Sequence, residues 1–216
     1  MPYKNKTKIY IPGTYYHLYA RGINKMVMYK SPLDYKYFLF LLEKYLTPNF
    51  IEKRQTKWGT LLISTNSVAK EIELEAFAIM PNHFHLLCKN IKKYGITNLM
   101  RRILALYSMY YNQKYKRRGP LIEGSYRAIN IKSEHQLIQT SRYIHLNPYK
   151  AKLVQHAIEY PHTSLKYYLT GEFPKWVKRG YLIDTTTDHR RIERYSSGQP
   201  QYGLGPEGPG PDRDRL

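Results

Sequence analysis

Cysteine is nearly absent from this chain of 216 residues. Cys88 stands alone, which excludes an internal disulfide framework and any multi-cysteine zinc site. Long apolar runs are missing too. The longest, residues 38–42, is far short of the roughly 20 residues that span a bilayer, so no membrane partner is expected. The basic first residues are not followed by an apolar stretch, so no secretory signal is expected either. Acidic residues are scarce, 16 Asp and Glu against 35 Lys and Arg, for a formal net charge of +19. Phe and Trp are few, 6 and 2, whereas Tyr occurs 23 times. A basic chain rich in planar amphipathic rings suits a phosphate backbone with bases available for stacking. The expected location is therefore cytoplasmic and nucleoid-associated.

The C-terminal stretch, residues 197–216, holds five Gly, four Pro and almost no apolar side chains. Such a composition buries too little surface to offset its ordering entropy, and predicts a disordered tail. Residues 1–196 are expected to form a single domain that carries the positive charge.

Periodicity predicts the elements of that domain. Residues 13–21 are aromatic and β-prone, a strand ending at Gly22. Ser31-Pro32 is an N-cap followed by proline at the first helical position, opening a helix that stops by Pro48. Residues 49–70 are polar and irregular, an extended hairpin or loop. Residues 71–79 alternate as a strand, with Ile72, Leu74, Ala76 and Ala78 assigned to one face. Met80-Pro81-Asn82 turns into a second strand over 83–89. A long helix follows over 97–116, with Leu99, Ile103, Leu106 and Tyr110 as its buried stripe. Residues 126–131 form a short strand. Ser133 and Gln136 have capping-box spacing and open a last helix, which Pro148 is expected to halt. The fold class is α+β. Its first six elements give a ferredoxin-like βαββαβ antiparallel sheet with helices on one face, and a C-terminal helix follows.

Two constellations could carry chemistry. His83 and His85 lie two apart on a strand, so both imidazoles leave one face and could chelate a divalent metal with a third ligand from elsewhere. On the last helix, Gln136, Thr140, Tyr143 and Asn147 form one polar stripe, placed opposite Leu137 and Ile144. Tyr143 and Asn147 are one turn apart and could present a nucleophile and a metal-ligand oxygen to one site. Each feature alone also fits a blander role, an incidental surface pair and one more tyrosine among 23. Together they make chemical sense. A phenol with a reference pKa near 10 attacks a phosphodiester usefully only if a cation withdraws charge from the phosphate and holds it in line.

Residues 76–87, Ala-Phe-Ala-Ile-Met-Pro-Asn-His-Phe-His-Leu-Leu, resemble the histidine–hydrophobe–histidine (HUH) motif of single-tyrosine transposases. Residues 142–148, Arg-Tyr-Ile-His-Leu-Asn-Pro, resemble their catalytic-helix motif in the variant typical of REP-associated tyrosine transposases. Residues 15–24 are similar to that group's first strand. The resemblance spans roughly residues 10–170. It implies a metal-dependent endonuclease and strand transferase acting on single-stranded or hairpin DNA. Tyr143 would be the nucleophile, forming a 5′-phosphotyrosine and leaving a free 3′-hydroxyl. His83, His85 and Asn147 would bind Mg²⁺ or Mn²⁺, and a homodimer is one expected state. DNA contacts are expected from Arg21 and Arg127 at strand ends, and from Arg101, Arg102, Lys114, Lys116, Arg117 and Arg118 along the long helix and just past its end. Two alternatives predict different biochemistry. A non-catalytic hairpin binder on the same fold would not need Tyr143, and a hydrolase using water would cleave without a covalent intermediate.

Overall fold

The computed structural model describes residues 10–180. The expected tail over 197–216 and the boundary at 196 lie outside the described residues. The first strand, β1 (Thr14–Arg21), leads to α1 (Pro32–Leu46). Lys30 N and Ser31 N both donate to the Asp34 carboxylate, which caps the start of α1. Phe38, Leu41, Leu42 and Leu46 recur at helical spacing and are buried.

The segment that was polar and irregular by sequence is an antiparallel ribbon, β2 (Ile51–Thr56) and β3 (Gly59–Ser64). Among the described residues these strands pair only with each other, and Trp58 at their turn is almost fully exposed. The chain then returns through β4 (Ile72–Met80), the two-residue turn Pro81-Asn82 and β5 (His83–Asn90). Next come α2 (Gly95–Lys114), β6 (Arg127–Ile131) and α3 (Glu134–Lys150), and a short α4 (Leu165–Thr170) follows.

Four strands pair antiparallel in the order β4-β5-β1-β6. Helices α1 and α2 cover one face. Between them and the sheet lie Tyr16, Leu18 and Ala20 of β1, Phe84, Leu86 and Cys88 of β5, and the buried sides of both helices. On the other face, α3 packs Leu137 and Ile144 against Ala76, Ala78 and Leu87. The free edge of β4 is covered by the returning chain: Ile79 N donates to His162 O, Ser164 N to Phe77 O and Lys178 N to Leu74 O.

Three local expectations are corrected. The alternation assigned Ile72, Leu74, Ala76 and Ala78 to one face of β4. A bulge between Leu74 and Ala76 inserts Glu75 as an extra residue and reverses the faces. Ile72 and Leu74 thus share the main core with Phe77 and Ile79, while Ala76 and Ala78 turn to α3. In α2 the buried stripe runs through Ile96, Leu99, Met100, Ile103, Tyr107 and Tyr111 instead of Leu106 and Tyr110. Two buried phenols are tolerated because Tyr107 donates to Met28 O (2.7 Å) and Tyr111 to Val27 O (2.8 Å). Pro148 does not halt α3, which continues to Lys150. Pro148 has no N–H to offer Ile144 O, so the helix loses that one bond and continues past it, with Ala151 N donating to Asn147 O.

Candidate active site

The face of the sheet beneath α3 is where the chemistry gathers. In β1, alternation sends His17, Tyr19 and Arg21 to this side; in β5 it sends His83 and His85. The antiparallel register sets Tyr19 opposite His85, Arg21 opposite His83 and Arg127 of β6 opposite Tyr19. From above, α3 contributes Tyr143 and Asn147. Its capped start holds the helix in place, with Gln136 N donating to Ser133 Oγ and Lys132 N to Gln136 Oε1. The polar and apolar stripes of α3 adjoin rather than oppose one another. Leu137 and Ile144 reach β4 and β5, and Tyr143 and Asn147 reach the histidines.

The rings are close. His83 and His85 have centroids 4.9 Å apart at 87°, and the Tyr143 ring stands edge-on to His85 at 5.4 Å and to His17 at 5.9 Å. Asn147 Nδ2 lies 3.3 Å from His85 Nε2, and the same amide hydrogen-bonds toward His83 and toward Tyr143. His83 Nδ1 meets Asn82 Oδ1 at 2.6 Å, and His85 Nδ1 meets His17 Nε2 at 2.9 Å.

Burial keeps these imidazoles neutral. It lowers His85 well below the ordinary range, aided by the neighbouring His17 and His83 rings. It lowers His83 to about 4, helped by the Arg21 guanidinium and opposed by Asn147, and it lowers His17 to about 4. Burial also raises the Tyr143 phenol, although its bond to Asn147 works the other way, so the hydroxyl holds its proton at neutral pH.

Neutral imidazoles are the form that binds metal. Both histidines engage Nδ1 with a neighbour, which leaves Nε2 for a ligand, and the Asn147 amide can turn an oxygen toward the same point. This nitrogen–nitrogen–oxygen set could hold a divalent cation and leaves positions for phosphate and water. Among the described residues no group of three or more His, Cys, Asp or Glu side chains is arranged to hold a metal, so an amide would have to complete the set.

The expected residues divide into two groups. Tyr143, Asn147, His83, His85, Arg21 and Arg127 come together at this face. Arg21 Nε is buried with no hydrogen-bond partner among the described residues. The α2 group lies in the other layer, and half of it is engaged within the chain. Lys114 binds Asp34 (2.6 Å), Arg117 donates to Asn112 and Pro120, and Arg102 donates to Asn66 O and lies over the Tyr45 ring. Arg101, Lys116 and Arg118 are exposed.

His17 is the site residue that sequence reasoning missed. The available signals were the alternation of His17, Tyr19 and Arg21 on one strand face and the likeness of residues 15–24 to a family first strand; neither pointed to His85, 68 residues away.

Comparison with known proteins gives a consistent picture. The family model described as transposase IS200-like matches residues 33–147, more than half of the chain. A solved structure of a REP-associated tyrosine transposase bound to a REP hairpin aligns with a TM-score of 0.54 at 12% identity. That alignment covers 85% of this chain and 95% of that one, a likeness of fold. No curated protein matches. Among the described residues no helix is long and apolar enough to cross a membrane.

Proposed function

The chain belongs to the IS200-like transposase family of single-tyrosine DNA strand-transfer enzymes, and from that premise we propose that Tyr143 is its nucleophile and hairpin-forming single-stranded DNA its substrate. The observation that carries the assignment is convergence: one phenol, two neutral imidazoles and one amide from separate elements meet under α3. We read the strand order as the ferredoxin-like βαββαβ core, with the tyrosine helix laid across its back.

His83 and His85 through Nε2, and Asn147 through its amide oxygen, would hold Mg²⁺ or Mn²⁺. When bound, the ion withdraws charge from the non-bridging phosphate oxygens and lowers the barrier to attack. Arg21, its guanidinium beside His83, takes a phosphate oxygen from the other side, and Arg127 follows the backbone next to it. Tyr143 Oη bonds to phosphorus as the bond from phosphorus to O3′ breaks. The phenolic proton is given up and the leaving 3′ oxygen takes one, which yields a 5′-phosphotyrosine and a free 3′-hydroxyl. Exposed Arg101, Lys116 and Arg118 add sequence-independent attraction for DNA at a distance from the chemistry; Arg102 and Arg117, bonded only to neutral oxygens, would add their full charge, and Lys114, paired with Asp34, would add less. Homodimerisation is read by sedimentation of the free chain, and nucleoid association by co-sedimentation with chromosomal DNA.

Adduct trapping tests the assignment. With a labelled hairpin oligonucleotide and Mn²⁺, a denaturing gel should show a shifted band that needs metal and is lost in Tyr143→Phe and His83→Ala. Hairpin binding by Tyr143→Phe should stay within about twofold of the parent. Cleavage without an adduct would transfer the attack to water, and binding without cleavage would make the chain a hairpin binder.

A further inference from the structure

We propose that His17 is a positioning residue that fixes the tautomer and orientation of His85, so that His85 offers Nε2 to a divalent cation. The proposal deepens the metal reading above and rests on it.

His17 Nε2 and His85 Nδ1 are 2.9 Å apart, and a hydrogen bond between two imidazole nitrogens holds one proton. If His85 Nδ1 carries it, His85 Nε2 is a bare lone pair directed at α3. With His17 Nε2 as the carrier, the neutral His85 keeps its own proton on Nε2 and cannot ligate there. Asn147 favours the first, because its Nδ2, which can only donate, lies 3.3 Å from His85 Nε2. The chain of bonds therefore runs in one direction, from the Asn147 amide to His85 Nε2 and from His85 Nδ1 to His17 Nε2.

His83 shows the same arrangement built from other parts. Its Nδ1 meets Asn82 Oδ1, an acceptor without a proton, so its Nε2 is also bare. Each imidazole is thus held at Nδ1 by a separate neighbour, Asn82 from the β4–β5 turn and His17 from β1. The His17 ring has little freedom to leave. It is 5% exposed, its ring centroid is 5.0 Å from that of His85 with the planes 29° apart, and it is flanked by Tyr19 at 5.2 Å and by the Tyr143 edge. Partners of this kind typically contribute ten- to hundredfold to metal affinity.

Binding of Mn²⁺ alone, followed by loss of the free-ion paramagnetic signal, separates this proposal from the reading beneath it. Wild-type chain should bind one Mn²⁺, and His83→Ala should abolish binding. His17→Leu, which keeps the volume and removes the acceptor, should weaken affinity ten- to hundredfold. His17→Gln, whose Oε1 can replace Nε2 as acceptor, should restore affinity to within a few-fold of wild type. Equal affinity in His17→Leu and wild type would overturn the positioning role while leaving the site intact. Failure of the wild type to bind, or indifference to His83→Ala, would overturn the metal reading itself. Nitrogen-15 spectra of the histidine rings in unmodified protein give a second test that no folding defect can confound. The His85 proton should sit on Nδ1, and a proton on Nε2 would contradict the proposal.

Discussion

A buried carboxylate shows how much one residue can carry. Asp34 has no exposed surface and accepts from Lys114, Tyr110 and Tyr115 as well as from two backbone amides. Burial alone would raise its pKa, but the hydrogen bonds from Lys114, Tyr115 and the Ser31 amide outweigh it and hold the value at about 2. The folded value lies below the unfolded 3.8, so this stabilisation is complete above about pH 4 and is lost as pH falls toward 2. Asp34→Asn should lower stability by about 3 kcal/mol at pH 7, measured by urea unfolding, and the deficit should shrink below pH 4. An unchanged deficit at pH 2.5 would show that packing, and not charge, was lost. At this scale the sequence was partly readable. Ser31-Pro32 announced a helix start, and His83 and His85 announced a shared face, because both are local rules. His17 and Asn82 could not be read as partners of those histidines, since which imidazole nitrogen is engaged depends on contacts made only after folding.

Elements failed to be legible where one residue disturbs a period. Alternation in β4 is correct up to Leu74 and again from Ala76, but the inserted Glu75 reverses the faces between them. The bulge leaves that carboxylate 3% exposed, with Oε2 unpartnered among the described residues. Burial raises Glu75 to about 7, against a pull downward from Tyr15. Its folded pKa is above the unfolded 4.5, so the sign is opposite to that of Asp34: stability is full below about pH 4.5 and declines as pH rises through 7. Glu75→Gln should therefore stabilise the protein by on the order of 2 kcal/mol at pH 8 and change little at pH 4.5. A thermal melt at the two pH values reads the difference, and destabilisation at both would mean that the ionised carboxylate has a partner. Pro148 teaches a similar lesson for α3, where the loss of one backbone donor does not end the helix before Lys150.

For the molecule as a whole, the positive charge was the most readable property and the least specific. The formal +19 predicts strong, salt-sensitive DNA binding, with affinity for a single-stranded oligonucleotide falling linearly on a logarithmic salt axis. Arg21→Gln and Arg127→Gln should each reduce that slope by about 0.7, the increment for one phosphate contact on single-stranded DNA. The same change at Lys114 should leave the slope nearly unaltered, because its ammonium is already paired with Asp34. Equal slope changes at all three positions would show that net charge, and not the site, governs binding. Composition alone could not sort the basic residues in this way. The sheet register and the two helix layers do so, by setting Arg21 opposite His83, Arg127 opposite Tyr19 on the same face, and α2 on the other face.

The central claim is that one tyrosine, placed by α3 over a pair of neutral histidines, becomes covalently bonded to DNA. Peptide mapping of a trapped adduct by mass spectrometry tests it most directly. After reaction with a cleavable hairpin and Mn²⁺, and nuclease trimming of the DNA, the nucleotide should be found on the peptide that contains Tyr143. A nucleotide on Tyr19, the other phenol beside His85, or on any other residue would contradict the account.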